Sequence, residues 1–206
     1  MNTRMPYRVI LFLIISLGII CGQGGAAEKR VETAIFAGGC FWCVESDFDH
    51  VDGVLTTTSG FTGGDVANPS YEQVSRGGTG HLEAVRVTFD PAVVSYSKLL
   101  DAYWHSVDPT DNGGQFCDRG QQYHTAIFYL NDEQKKLAEQ SKAKLQKTKP
   151  FAAPIVTEIR PAKAFYPAEE YHQNYYKKNP IRYNYYRFSC GRDRRVEDLW
   201  GAPAHG

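Results

Sequence analysis

The sequence predicts one α+β domain, a two-layer sandwich with a mixed β-sheet core, led by an export signal and closed by an irregular tyrosine-rich tail. Three observations lead there. Strand-like and helix-like segments interleave, but several crossovers between strands are short or absent, which disfavours a doubly wound parallel sheet. The segment Leu82–Phe89 alternates: Glu83, Val85, Val87 and Phe89 share one face, and Leu82, Ala84, Arg86 and Thr88 the other. With 206 residues, 42% hydrophobic and 22% charged, the chain suits one globular domain with a core and is short for two.

The N-terminus is read separately. Arg4 and Arg8 precede an apolar run from Val9 to Ile20, followed by small residues up to Ala27. That is the pattern of a secretory signal peptide. The run of 12 residues falls well short of the ~20 needed to span a bilayer. Cleavage near Ala27 leaves residues 28–206 as the functional domain, exported to the periplasm; an uncleaved membrane anchor ranks second. Acylation of Cys21 is the weaker reading, because Ile20 is large for a residue before a lipidated cysteine.

Lys plus Arg and Asp plus Glu stand at 23 each, so no basic excess points to nucleic acid. Losing Arg4 and Arg8 with the signal leaves 21 basic and 23 acidic residues, a net charge of −2. Four cysteines then remain: Cys40, Cys43, Cys117 and Cys190. In an exported domain they suit two structural disulfides or redox chemistry, and a chain of this length does not need staples.

Element by element, Thr33–Ala37 reads as a strand ending at Gly38-Gly39, and Phe41 to about Asp49 as a helix. The Thr-rich segment Val54–Phe61 suits a strand, and Gly63-Gly64-Asp65 with Asn68-Pro69 a loop. Ser97 to about His105 is expected to be helical, Asn112–Gln121 a loop and Thr125–Leu130 a strand. Asn131 caps a solvated helix to about Lys147, with Gln134 placed for a capping box. Ile155–Arg160 alternates as a strand, and Ala168–Lys177 reads as a short helix. Tyr166, Tyr171, Tyr175, Tyr176, Tyr183, Tyr185 and Tyr186 then crowd the tail, as packing over the core or as hydrogen-bond donors in an apolar pocket.

The stretch Ala37-Gly-Gly-Cys-Phe-Trp-Cys-Val-Glu45 carries the chemistry. Two glycines turn the chain from strand into helix and place Cys40 at the helix N-terminus, where free N–H groups are expected to lower its thiol pKa. The bland alternative is a buried structural cysteine. Glu83 puts a carboxyl on the apolar face of its strand, where desolvation would keep it protonated near neutrality, as a general acid requires; an edge position or a salt bridge is the alternative.

Five motifs then stand in order: Gly39-Cys-Phe-Trp-Cys-Val-Glu45, Asn68-Pro-Ser-Tyr-Glu-Gln-Val74, Thr79-Gly-His-Leu-Glu-Ala-Val85, Asp118-Arg-Gly-Gln-Gln-Tyr123 and Ala168-Glu-Glu-Tyr-His-Gln-Asn-Tyr175. Together they resemble the A-type methionine sulfoxide reductases, from about Thr33 to Arg187. The resemblance implies a ferredoxin-like plait and reduction of the S epimer of methionine sulfoxide, in oxidised proteins, peptides and the free amino acid. It implies Cys40 as nucleophile, Glu83 as the acid, and Tyr71 and Tyr123 as phenols holding the sulfoxide oxygen. Phe41 and Trp42 match the rings around the substrate methyl, Asp118 a supporting polar residue, and Tyr175 and Tyr183 further substrate-site residues of the tail. The product on Cys40 is a sulfenic acid, the reversible rung of cysteine oxidation.

Many relatives carry a resolving cysteine just after the position of Tyr183, where this chain has Asn184. Cys190 ranks first as its replacement, before Cys117 and Cys43, with a disulfide then reduced by an exported thioredoxin-like partner. No cofactor or metal is expected, and nothing in the sequence requires more than a monomer. Three rivals are a thiol–disulfide oxidoreductase using Cys40 and Cys43, a zinc site of the four cysteines, and a pair of structural disulfides; the cysteine spacing is poor for zinc.

Overall fold

A computed structural model describes residues 30–201 together with the first two; the expected signal segment, 1–27, lies almost wholly outside the described residues. Strand β1 (Glu32–Gly38) leads into helix α1 (Phe41–Asp49), β2 (Val54–Thr62), a one-turn α2 (Tyr71–Ser75) and β3 (Leu82–Phe89). Next come α3 (Tyr96–Trp104), a small hairpin of β4 (Gly114–Gln115) and β5 (Asp118–Arg119), β6 (Thr125–Tyr129) and α4 (Asp132–Thr148). The chain closes with β7 (Glu158–Pro161), β8 (Tyr166–Pro167), α5 (Tyr175–Lys178), α6 (Pro180–Ser189) and α7 (Arg192–Trp200). Among the described residues no helix is long and apolar enough to cross a membrane.

The α+β class and the mixed sheet are as expected. Six strands pair in the order β7-β6-β1-β3-β2-β8; every pair is antiparallel except β6 with β7. Side chains alternate across this sheet. Ala34, Phe36, Val85, Val87, Phe89 and Ile127 point to one face, where they join Phe48 of α1, Leu99, Leu100 and Tyr103 of α3, and Ala138 of α4. Ile35, Ala37, Leu82, Ala84, Ala126 and Phe128 form a smaller cluster on the other face under Ala162 and Phe165. Phe36 lies between Phe48 and Tyr103, with ring centroids 4.8 and 5.1 Å away.

Several expectations need correction. The tail is not irregular: it forms α6 and α7, held by charges buried beneath α1. Asp47 accepts from Arg187 at 2.7 Å and from Arg192 at 3.1 Å, and Arg192 also donates to the carbonyls of Gly38 and Ser106. Ala168–Lys177 is not one helix but a 3₁₀ turn at Glu170–His172 and the short α5, broken at Asn174, whose φ is +53°. The Asn112–Gln121 loop contains the β4–β5 hairpin, and β7 starts only at Glu158. At α4, Asn131 accepts from the Gln134 N–H as a cap, but the Gln134 side chain reaches the N–H of Leu130 rather than completing a capping box.

Removing Arg192 takes one of two guanidiniums from the buried Asp47 and leaves the Gly38 and Ser106 carbonyls without this donor, and breaking a buried pair costs ~3 kcal/mol or more. Arg192→Met is therefore expected to lower unfolding stability by about that amount, read as a lower urea midpoint, whereas an unchanged midpoint would mean that Arg192 does not anchor the tail.

Candidate active site

The site starts at the turn between β1 and α1. Gly39 adopts φ +82°, and a Cβ there would lie 2.5 Å from Cβ of Gln115, so the turn needs glycine in both conformation and space. This turn makes Cys40 the N-cap residue of α1, buried as a free thiol. Glu83, in β3 and on the apolar face the alternation assigns it, is 2% exposed, and its Oε2 accepts the Phe41 N–H at 2.9 Å. A free N–H at the start of α1 is thereby committed to the carboxyl rather than to the Cys40 sulfur.

That arrangement divides the protons. Burial pushes Glu83 up to about 8, reinforced by the nearby Asp118 and opposed by the Phe41 N–H, so it is largely protonated at neutral pH. The expected lowering of the Cys40 thiol is not found. Burial pushes it up, helped by its hydrogen bond with Cys43 and by the carboxyls of Glu83 and Asp118. The magnitudes agree with this outcome: a helix N-terminus favours an anion by ~0.3–1 kcal/mol, whereas full burial moves a titration by up to several pH units. Cys43, one turn along the helix, moves the other way. The hydrogen bond with Cys40 lowers it against burial, as do the Arg192 and Arg187 charges.

Aromatic rings wall the site. Trp42 stacks on Tyr175 with centroids 3.8 Å apart and planes 7° apart, and its Nε1 donates to Nδ1 of His172 at 3.0 Å. Phe41 lies 5.1 Å from the His172 ring and 6.2 Å from Tyr71. Tyr71 opens α2, its N–H held by Glu169 at 3.0 Å, and Tyr123 sits in the 3₁₀ turn that precedes β6. Burial pushes both phenols up, and Glu83, Asp118 and Cys40 each add to the effect, so all five groups share one electrostatic neighbourhood.

Cys40, Phe41, Trp42, Tyr71, Glu83, Asp118, Tyr123 and Tyr175 are thus brought together. Tyr183 is brought elsewhere: it packs with Cys43 and Tyr175 behind the site, and its hydroxyl accepts from Arg187 at 3.0 Å. Cys190 is bonded to Cys117, while Cys40 and Cys43 are free. That pairing removes two ligands from a four-cysteine zinc site and leaves one disulfide where the staple reading expects two.

Sequence reasoning missed Tyr186 and His172. Tyr186 donates to Asp118 and meets Trp42 edge-on at 5.8 Å, and its only sequence signal was membership of the tyrosine cluster. Burial lowers His172, and because its Nδ1 accepts from Trp42, its proton sits on Nε2.

A buried free thiol beside a protonated carboxyl and a second thiol defines a thiol-dependent oxidoreductase. Comparison with known proteins narrows the class: residues 32–204 match the family model described as peptide methionine sulfoxide reductase. The peptide methionine sulfoxide reductase MsrA of Bacillus licheniformis is 57% identical over 175 residues, covering 85% of this chain and 96% of that protein. Among solved structures, methionine sulfoxide reductase A of Corynebacterium diphtheriae superposes with TM-score 0.65 at 32% identity, covering 75% of this chain and 78% of that one. Reduced Mxr1 of Saccharomyces cerevisiae gives 0.69 at 31%, covering 73% and 87%; Mxr1 has also been solved in complex with Trx2. The chain belongs to the A-type peptide methionine sulfoxide reductases, oxidoreductases that return methionine sulfoxide to methionine.

The folded Glu83 carboxyl keeps its proton up to about pH 8, while an unfolded one releases it near 4.5, so stability falls as pH rises between those values. Glu83→Gln, which still offers an oxygen to the Phe41 N–H, is expected to remove this dependence and to raise stability at pH 7 by ~2–3 kcal/mol. Denaturant midpoints at pH 5 and pH 7 check it; a variant less stable than the parent at pH 7 contradicts a protonated Glu83.

Proposed function

We propose that the chain reduces the S epimer of methionine sulfoxide in oxidised proteins, peptides and the free amino acid, through a sulfenic acid on Cys40. The observation that carries this reading is the free Cys40 thiol beside a buried carboxyl that stays protonated at neutral pH. The Cys40 sulfur attacks the sulfoxide sulfur while Glu83 gives its proton to the oxygen, an otherwise poor leaving group. Tyr71 and Tyr123 hold that oxygen, with Asp118 in support. The S–O bond breaks, methionine leaves and the hydroxyl ends on Cys40; the thiol's own proton replaces the one lost by Glu83. Phe41, Trp42 and Tyr175 take the methyl side, so an apolar wall opposite a polar one selects one epimer.

Cys43 then condenses with the sulfenic acid, forming a Cys40–Cys43 disulfide and releasing water. Its hydrogen bond with Cys40 and its lowered pKa support it as the first resolving thiol, ahead of Cys190, which is bonded to Cys117. A thioredoxin-like dithiol protein closes the cycle, a reading in keeping with the Mxr1–Trx2 complex. Arg4, Arg8 and the Val9–Ile20 run support export to the periplasm, so this partner is itself exported; a purified native chain beginning near Glu28 is the expected outcome, and a soluble cytosolic form beginning at Met1 would contradict it. The order β6-β1-β3-β2, antiparallel throughout, supports reading the central sheet as a ferredoxin-like plait.

Methionine release from S- and R-sulfoxide peptides with dithiothreitol tests the reaction. The expected outcome is turnover of the S epimer alone, none in Cys40→Ser, and a loss of ~10²–10⁴-fold in Glu83→Gln. With the acid titrating near 8, kcat is expected to fall as pH rises through that value. Folded parent protein that turns over neither epimer would leave a general thiol–disulfide oxidoreductase as the reading to pursue.

A further inference from the structure

Glu45 is a buried carboxyl that the reaction above leaves without a task. It lies in α1 one turn after Trp42 and is 0% exposed. Burying a carboxyl is costly unless a partner offsets it, and the nearest ammonium, that of Lys177, is committed to Asp49 at 2.7 Å. What Oε2 of Glu45 accepts is the backbone N–H of Asn174, at 2.9 Å. Asn174 is left-handed, with φ +53° and ψ +37°, and is the joint between the 3₁₀ turn at Glu170–His172 and α5. Three successive residues of this strap are thus pinned in three places. His172 accepts from Trp42, Gln173 clamps the backbone N–H and carbonyl of Ser59 at 2.9 and 2.8 Å, and Asn174 rests on Glu45. Tyr175 follows directly and lies flat on Trp42. Any turn of the chain at Asn174 swings that ring off the indole.

We propose that Glu45 is a positioning residue: through the Asn174 N–H it sets the Tyr175 ring against Trp42, and so sets the width of an apolar wall that takes a methyl group and refuses a larger alkyl group. This rests on the reductase reading above and adds to it a residue that acts through others. The role does not need charge. Burial pushes Glu45 up to about 7, opposed by the Asn174 N–H, reinforced by Asp49, and opposed again by the Ser59 hydroxyl and Lys177. Neutral or ionised, the carboxyl still offers an oxygen to Asn174. Glutamine reproduces that oxygen, leucine fills the space without it, and aspartate draws it back by one methylene.

The test compares kcat/KM, with dithiothreitol, for the S epimers of a methionine sulfoxide peptide and of its S-ethyl homologue. One extra methylene against a fitted apolar wall is worth ~10-fold or more, so the parent is expected to prefer the methyl compound by at least that factor. Glu45→Leu is expected to shrink the preference ~5-fold, and Glu45→Gln to keep it within ~2-fold of the parent. The ratio of the two substrates does not depend on how much of the enzyme is folded, so a loss of stability alone leaves it where it was. Should Glu45→Leu fail to fold, Glu45→Asp takes its place, with a smaller preference again expected. A folded Leu or Asp variant with the parent's ratio overturns the proposal, as does a parent that takes both compounds alike. Glu45→Gln falling with Glu45→Leu also overturns it, since the hydrogen bond to Asn174 would then not be what matters. A parent inactive on the methyl compound removes the reductase reading, and this proposal with it.

Discussion

The buried carboxylate of Asp47 is the point on which the active centre depends. Three charges out of water would cost several kcal/mol each if left alone. Here Asp47 takes both Arg187 and Arg192, and Arg192 gives further donors to the carbonyls of Gly38 and Ser106. The arrangement therefore fixes position. Gly38 ends the strand before Cys40, Asp47 lies on the helix that Cys40 caps, and the two arginines belong to α6 and α7. One cluster thus sets the distance between the Cys40 turn and the tail, and Tyr186 is brought onto the site while Tyr183 packs behind it. The guanidinium of Arg192 also lies 4.7 Å from the Phe116 ring, which carries the same constraint into the hairpin bearing Cys117 and Asp118.

Within that frame, titrating groups have been pushed apart. Glu83 is a neutral acid because it is buried with one N–H for company, Cys40 is a thiol because burial outweighs the helix end, and the Cys43 thiol is lowered by its hydrogen bond with Cys40, with Arg192 and Arg187 adding to the effect. One carboxyl and two thiols are thus distinguished by environment alone. The aromatic wall has its own support. The segment 169–172 grips both halves of it, Trp42 through His172 and the start of α2 through Glu169.

Much of this was legible in the residues. Alternation located β3 and put Glu83 on its inner face, and the glycines before Cys40 located the turn and the start of α1. The tail was not legible, because its helices are held by Arg187 and Arg192, residue types that pattern reading assigns to solvent. Only the folded chain shows that Asp47, 140 and 145 positions away, awaits them. The thiol pKa was misjudged for a related reason: the helix end can be read from sequence, whereas the depth of burial and the commitment of the Phe41 N–H to Glu83 cannot. The pairing of Cys117 with Cys190 likewise needed the fold to bring the hairpin to the end of α6.

That bond has a mechanical consequence. Cys117 and Cys190 are 73 positions apart, and the loop they close contains β6, α4, β7 and β8. A covalent loop of this size takes ~4 kcal/mol of freedom from the unfolded chain. It also changes what the polypeptide is as an object. An open chain can be drawn end first through a narrow pore, whereas a chain closed on itself is a knot of cord too wide to follow its own tail. Pulled from its C-terminus by an unfolding motor, the oxidised protein would jam at Cys190; reduced, it would run through.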